Sequence, residues 1–306
     1  IRYWNKKHSG DEVINVDKIT YASNHLVEKE FANVPNYTFL KADINDYEAL
    51  KAIVKDSDLI VNFAAESHVD NSIAAPDQFI KSNILGVYSL LKIALQTGIR
   101  FHQVSTDEVY GSLSLKSKAR FSETSRYDPR NPYSATKASA DFLVRAFANT
   151  YRLPLTISNC SNNYGPYQHP EKLVPKAILN ALRYKEIPIY GSGRQIRDWI
   201  YVEDHCSAIE LITKKGEPGK TYLVGGDGET TNLEIVGLIL NKLGRSEDLI
   251  KFVKDRPGHD LRYAIKTSNA LRKLGWKKST DIDNGLKTTI DHYVFNQDYY
   301  YPLMKN

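Results

Sequence analysis

The chain has 306 residues, 42% of them hydrophobic and 25% charged, which suits one large or two modest globular domains and excludes a disordered or fibrous polymer. Forty-one Lys and Arg against 36 Asp and Glu leave a formal charge of +5, too slight over this length to indicate nucleic acid but sufficient for an anionic small ligand. Two cysteines, Cys160 and Cys206, exclude a disulfide scaffold and an all-thiolate zinc site and suit a reducing, cytoplasmic setting.

The most apolar stretches, Asp58 to Ala65 and Leu85 to Leu95, are shorter than a bilayer span or broken by Lys92, and no cleavable signal pattern opens the chain, so no membrane role is expected. The sole methionine is Met304, so Ile1 is not a translation start and the chain reads as N-terminally incomplete.

Short β-branched runs alternate with amphipathic segments through the first half, the pattern of crossover units feeding a parallel sheet. Strands are predicted at Val13 to Asp17, Thr38 to Asp43, Leu59 to Ala65, Phe101 to Thr106 and Leu155 to Asn159, with helices at Tyr47 to Lys55, Asp77 to Gln96 and Ser134 to Tyr151. Ile1 to Lys7 reads as the tail of a helix whose preceding strand is absent. The expectation is an α/β chain with a doubly wound parallel sheet (a Rossmann fold), its first strand and Gly-rich turn missing. After Gly165 the pattern loosens into Pro- and Gly-punctuated pieces, with helices predicted near Lys172 to Tyr184, Glu203 to Lys214, Asn232 to Leu243 and Asp281 to Tyr293. Strand candidates at Ile187 to Tyr190 and Thr221 to Val224 rejoin either layer. A division into residues 1–165 and a smaller substrate-binding domain, 166–306, is expected, with a crossing back around 199–226.

Tyr133-Ser-Ala-Thr-Lys137 opens a helical run after the breaker Pro132. A spacing of four places both side chains on one helix face. A nearby ammonium favours the phenolate, so the phenol can take a proton from a sugar hydroxyl while a hydride leaves the carbinol carbon. Alone, the pair also reads as a surface Tyr and Lys. Ser105-Thr-Asp-Glu108 follows directly on the strand Phe101 to Val104, and ligands of open α/β sheets bind outside the carboxyl ends of strands. Two adjacent acids there point in different directions, and unlike environments can keep one protonated and the other ionised, although acids also favour such places as caps or solvated turns. Asp17 ends a strand where an acid bonds the ribose hydroxyls of NAD and repels a 2′-phosphate, a repulsion that Lys18 softens. Asp43-Ile44 and Ala64-Ala65 follow the next two strands.

These residues together resemble the extended short-chain dehydrogenase/reductases and, within them, the dTDP-glucose 4,6-dehydratase family. The likeness runs through VDKITYASN (Val16 to Asn24), AAESHVDNSI (Ala64 to Ile73), VSTDEVYG (Val104 to Gly111) and YSATKAS (Tyr133 to Ser139). It continues through SNNYGPYQHPEKL (Ser161 to Leu173), IRDWIYVEDH (Ile196 to His205) and DRPGHDLRYAI (Asp255 to Ile265). Epimerases and decarboxylases of the extended family share the tyrosine and lysine but usually lack the Asp-Glu pair.

The resemblance implies NAD as cofactor, no metal, a nucleotide-sugar substrate, and a homodimer joined through Asp77 to Gln96 and Ser134 to Tyr151. It implies that Tyr133, assisted by Lys137, removes the 4-hydroxyl proton as the C4 hydride passes to NAD, with Thr106 positioning the hydroxyl. Glu108 then takes the C5 proton, Asp107 protonates the departing 6-hydroxyl, and the hydride returns to C6. By the same likeness Asp17, Lys18, Thr20, Asp43, Ile44, Ala64, Ala65, Ser82, Tyr133, Lys137 and Asn163 match cofactor contacts. Ser82 stands where the family more often has threonine. Ser67, Thr106, Asn162, Lys172, Arg197, Asn232, Arg256 and His259 match positions that hold the sugar or the nucleoside diphosphate, where arginine's planar fork suits phosphate oxygens.

Other residues have plainer readings: Arg197 also reads as a surface partner of Asp198 or a neighbouring acid, His68 as a packing histidine or one that supports the site from behind, Cys160 as a small buried residue and Tyr299 to Tyr301 as C-terminal packing or an exposed end. Two further functions stay open at this stage. One is a UDP-sugar epimerase or decarboxylase, against which Asp107 and Glu108 argue; the other is a non-catalytic nucleotide-sugar-binding protein, since the Gly-rich turn that would cradle a pyrophosphate is not in the sequence.

Overall fold

The computed structural model describes residues 1–24 and 26–304. In chain order, α1 (Arg2–Lys7) precedes β1 (Val13–Asp17), then α2 (Leu26–Phe31), β2 (Tyr37–Lys41), α3 (Tyr47–Val54) and β3 (Leu59–Asn62). Two short helices, α4 (Val69–Ala74) and α5 (Pro76–Phe79), lead through a π-helical turn, Ile80–Leu85, into α6 (Gly86–Thr97) and β4 (Arg100–Thr106). A single helix is predicted there from Asp77, and the structure instead widens it at Ile80–Leu85, the i→i+5 turn that tends to occur near functional residues. Next come α7 (Pro132–Tyr151), β5 (Leu155–Cys160), β6 (Asn162–Tyr164), α8 (Leu173–Leu182), β7 (Ile187–Tyr190) and β8 (Ile196–Tyr201). The chain goes on through α9 (Val202–Lys215), β9 (Thr221–Val224), β10 (Glu229–Thr231), α10 (Asn232–Leu243), β11 (Ile250–Val253), α11 (Asn269–Lys273) and α12 (Ile282–Phe295).

Contacts divide the chain into two compact units: Ile1–Ser105, Asn131–Ser158 and Cys206–Tyr222 form the first, and Thr106–Arg130, Asn159–His205 and Leu223–Asn306 the second. The expected division near Gly165 carried a crossing back around 199–226, and this partition differs from it in Thr106–Arg130, because composition marks where loops loosen whereas a unit is defined by the residues that share a core. Thr106–Arg130 thus joins the second unit, and Cys206–Tyr222 the first.

In the first unit β1 and β2 pair in parallel, Val13 opposite Tyr37 and Asp17 opposite Lys41, and β3 pairs in parallel with β4, Leu59 opposite Arg100. The larger sheet has the order β3-β4-β5-β9. Helix α3 starts at Asp46, whose carboxylate accepts from the Ala49 amide, and α7 starts at Asn131 with a reciprocal capping box to Ser134 and Pro132 in the first turn. Leu91, Ile93, Ala94, Phe101 and Leu155 are wholly buried in the core that the helices and strands share, each large side chain contributing about 1.5–3 kcal/mol. Between β4 and β5 the buried His102 is satisfied internally, lying 3.0 Å from both the Thr156 and the Ser158 hydroxyls.

The second unit carries a three-stranded sheet in the order β10-β8-β6 and the parallel pair β11-β7. Its core gathers Tyr164, Ile178, Leu179, Ile235, Ile239, Leu240, Leu286 and Tyr293. Tyr300 is buried in the same cluster, so the tyrosine-rich tail packs. Among the described residues no helix is long and apolar enough to cross a membrane, and no group of three or more His, Cys, Asp or Glu is placed to hold a metal ion.

Candidate active site

In the first unit the capped start of α7 fixes Tyr133 and Lys137 one helical turn apart, both buried at 8% and 5% exposure. Lys137 Nζ donates to the Val104 carbonyl at the end of β4 over 2.7 Å, and the Tyr133 ring packs edge-on to Phe79 at 6.3 Å. A surface pair is therefore ruled out by burial. Asn83, in the π-helical turn, ties this corner together: its side-chain oxygen accepts from the Glu66 amide (2.8 Å), and its nitrogen donates to the Glu66 carbonyl (3.0 Å) and to Thr136 Oγ1 (3.0 Å). That clamp holds the segment after β3, with Ala64, Ala65 and Ser67, to the first turns of α7. Nothing in the sequence singles out Asn83, because its role depends on three segments meeting.

The carboxyl ends of β1 and β2 present the remaining cofactor candidates. Asp17 is exposed, and its Oδ1 accepts from the Ile19 amide (2.6 Å) and from Ser23 Oγ (3.2 Å), while Ser23 Oγ also accepts from the Thr20 amide. Lys18 Nζ lies 3.7 Å from Asp43 Oδ2 and 3.4 Å from Ser82 Oγ, so three residues distant in sequence converge. Burial pushes the Asp43 carboxyl up, but the Asn45 hydrogen bonds and the Lys18 charge outweigh it and leave Asp43 below the usual carboxylate range. Ile44 fills the space over Gly86, where a Cβ would lie 2.5 Å from Ile44 Cγ2. A carboxylate acceptor at a strand end, a hydroxyl beside an ammonium and a buried Tyr-Lys pair are groups that fit a nicotinamide dinucleotide.

In the second unit a tight turn, Asp107–Tyr110, follows Thr106, whose Oγ1 accepts from the Glu108 amide while its carbonyl accepts from Asn159 Nδ2 (3.1 Å). Gly111 closes the turn at φ +78°, where a Cβ would collide with the Asp128 carbonyl oxygen. Asp107 is 1% exposed and its Oδ2 meets no hydrogen-bond partner among the described residues. Burial, then the charges of Glu108 and Asp198, hold its carboxyl well above the usual range, against the pull of Arg197. Glu108 is also pushed up by burial, but Arg197, Arg256 and Lys172 act in the other direction and retain its charge more readily. Adjacent carboxyls whose surroundings differ in this way are able to serve one as acid and the other as base.

Arg197, 5% exposed, donates from Nη1 to its neighbour Ile196's carbonyl and from Nη2 to that of Asp260, and its guanidinium lies 4.3 Å over the Tyr263 ring. It is not a surface partner of Asp198, whose carboxylate accepts instead from the Gly226 and Gly228 amides and is pushed up to about 6 by burial. His259 is driven down to about 4 by burial and by Arg256, and its Nδ1 donates to Asp255 over 2.6 Å. Arg256 lies 6.0 Å from the Tyr190 ring, Lys172 caps α8 beside Glu171, and Asn232 begins α10. Asn162 Oδ1 is buried with no hydrogen-bond partner among the described residues. The Asn163 side chain bonds Cys160 Sγ, the Ser161 carbonyl and His205. Tyr263 and Asp260, both beside Glu108, fall inside the recognised DRPGHDLRYAI stretch, but their chemistry is visible only once the chain is folded.

Parallel α/β layering with a buried Tyr-Lys pair at the start of a capped helix defines an NAD-dependent enzyme of the short-chain dehydrogenase/reductase type. The model of the GDP-mannose 4,6 dehydratase family matches residues 3–289. A dTDP-glucose 4,6-dehydratase of Haemophilus influenzae is 47% identical over 312 residues, covering 94% of this chain and 92% of the relative. The crystal structure of a dTDP-glucose 4,6-dehydratase from Bacillus anthracis in complex with NAD superposes with a TM-score of 0.91 at 41% identity, over 99% of this chain and 94% of that one. One from Streptomyces venezuelae, also with NAD bound, gives 0.95 at 39% identity, over 99% and 95%. The chain belongs to the dTDP-glucose 4,6-dehydratase family, NAD-dependent hydro-lyases with a Rossmann-type fold.

Proposed function

We propose that the chain converts dTDP-glucose to dTDP-4-keto-6-deoxyglucose and water, the entry into deoxysugar biosynthesis such as that of rhamnose. Residues of the first unit, with Asp17, Lys18, Thr20, Asp43, Ile44, Ala64, Ala65 and Ser82, bind NAD together with Asn163; Ser67, Asn162, Lys172, Arg197, Asn232, Arg256 and His259 bind the nucleotide sugar. When bound, NAD accepts the hydride from C4 and returns it at C6, with no net change. Tyr133 takes the 4-hydroxyl proton while Lys137, held by Val104, supplies the positive charge that favours the phenolate. Thr106 orients the 4-hydroxyl. The resulting ketone acidifies C5–H, Glu108 removes that proton, and Asp107 gives its own to the departing 6-hydroxyl.

The observation that carries this reading is the pair of adjacent acids in unlike surroundings: Asp107 is 1% exposed with Oδ2 unpartnered among the described residues, and burial holds its carboxyl well above the usual range, whereas Arg197, Arg256 and Lys172 act on Glu108 in the other direction. An epimerase has no step that would use a buried proton donor beside a carboxylate base, and a binding protein would gain nothing from the desolvated acid. The test is to incubate the protein with dTDP-glucose, with and without NAD, and follow the sugar nucleotide by mass spectrometry. Loss of one water without accumulation of reduced cofactor supports the dehydratase; an unchanged mass with interconversion at C4 would move the assignment to an epimerase.

We also propose that the protein works as a homodimer in the cytoplasm. The support is the number of apolar side chains left exposed on two segments of the first unit, Ile80, Leu85 and Tyr88 on the π-turn and α6 and Phe142 and Tyr151 on α7. Sedimentation of the purified protein tests it: a monomer at micromolar concentration would defeat the dimer.

A further inference from the structure

Tyr263 is 2% exposed and is fixed on three sides. Its amide donates to the Ile196 carbonyl (3.1 Å), its ring lies under the Arg197 guanidinium at 4.3 Å, and Arg197 in turn holds the Asp260 carbonyl at 3.0 Å. The phenol oxygen stands 2.5 Å from Asp260 Oδ2 and 3.4 Å from Glu108 Oε2. Asp260 is itself 3% exposed, and its other oxygen, Oδ1, meets no hydrogen-bond partner among the described residues. One phenol with a single proton therefore stands between two carboxyl groups out of water.

From this geometry we infer that Tyr263, held by Asp260, is a positioning residue for Glu108, leaving it uncovered while it is a base and bonding it once it has become an acid. The inference rests on Glu108 being the C5 base. While Glu108 is ionised, the phenol proton goes to Asp260 at the shorter distance, and the 3.4 Å contact is too long to weaken Glu108 as a proton acceptor. When Glu108 takes the C5 proton, the C5–H bond breaks, its electron pair forms the C5=C6 bond, and the C6–O bond breaks with the proton supplied by Asp107. Glu108 is then neutral, and its new O–H donates to the phenol oxygen, whose own proton still points to Asp260. That bond holds the neutral acid in place until it returns its proton to C5, where an unguided carboxylic acid would rotate. The phenol gives up no proton in this scheme: burial first, and then the Glu108 charge while it is present and Asp260, raise it well above its ordinary range.

Tyr263→Phe removes the hydroxyl and keeps the ring beneath Arg197. The expected result is a kcat for water loss roughly 10- to 100-fold below the wild type, a KM for dTDP-glucose within about threefold of it, and a larger isotope effect on kcat with C5-deuterated substrate, because proton abstraction then limits the rate. Asp260→Asn, which keeps an acceptor for the phenol but loses the charge that holds its proton, should enlarge the isotope effect in the same sense. A Tyr263→Phe enzyme with wild-type kcat and isotope effect overturns the inference. So does a variant whose kcat and KM both deteriorate with the isotope effect unchanged, which is the mark of general disturbance. If Tyr263→Phe fails to fold, Asp260→Asn decides by the same isotope measurement. A wild-type protein that removes no water from dTDP-glucose, or a Glu108→Gln variant with full activity, would instead bring down the functional reading and this inference with it.

Discussion

Lys137 Nζ donates to the carbonyl oxygen of Val104, so that an ammonium on the first turns of α7 is fixed at the end of β4. The bond directs one of three donors into the strand and orients the other two. Replacing Lys137 with Met keeps the length of the side chain but removes the charge, and kcat for water loss should fall about 10²- to 10⁴-fold. Lys137→Arg should not restore it, since a planar guanidinium cannot direct a single donor at Val104 in a site 5% exposed. Steady-state kinetics on dTDP-glucose check both; a fully active Lys137→Met enzyme would remove Lys137 from the mechanism.

Asp107 should be a costly residue for the fold and an essential one for the chemistry. Its carboxyl is held well above the ordinary range in the folded chain by burial. Above the unfolded value the unfolded state ionises and the native state does not, so stability is drawn down as pH rises towards the folded value, by about 1.4 kcal/mol per unit of upward displacement. Asp107→Asn should therefore melt at a higher temperature than the wild type at neutral pH while losing elimination about 10²- to 10⁴-fold. Thermal denaturation at pH 7 and at pH 4 tests this, the difference between the two proteins shrinking at the lower pH.

His205 should sensitise the chain to acid. It is buried, its Nδ1 donates to Asn163 Oδ1, its Nε2 has no hydrogen-bond partner among the described residues, and burial lowers it to about 4. Unfolded, it takes up a proton below about 6.5, whereas the folded form resists until about 4. Stability is thus unaffected above pH 6.5 and falls between there and pH 4, by roughly 3 kcal/mol over the interval. His205→Gln keeps a donor for Asn163 without the titration, and its urea midpoint should fall less than that of the wild type over that interval. Parallel curves for the two proteins would count against it.

Gly111→Ala should destabilise the second unit by more than about 1 kcal/mol, since alanine is strained at φ +78° and its Cβ would meet the Asp128 carbonyl. Because Gly111 closes the turn that carries Asp107 and Glu108, elimination should slow as well. Chemical denaturation alongside a rate measurement on the same preparation would show both losses, and an unchanged midpoint would show that the turn yields.

What the sequence determined by itself is local. The Pro132 breaker and the four-residue spacing of Tyr133 and Lys137 place a helix and align two side chains on it, and the apolar runs at Leu59 and Phe101 place strands whose ends carry Ala64 and the Asp107-Glu108 pair. Those features depend on neighbours within a turn or two of backbone, and so a linear reading reaches them. The motif stretches likewise led to the family, because residue types at fixed offsets survive without any knowledge of the fold.

Tertiary structure decided what depends on segments far apart in the chain. It set the partition into interleaved units, the π-turn inside an expected helix, and the Asn83 clamp across Glu66 and Thr136. It also separated two adjacent acids, because the difference between Asp107 and Glu108 comes from Arg197, Arg256 and Asp198, residues about 90 to 150 positions away. Tyr263 reaches Glu108 across 155 positions in the same manner. Desolvation and Coulomb interactions act through distance in space, not along the chain, so the acidity and basicity of these groups are fixed only when the backbone has closed.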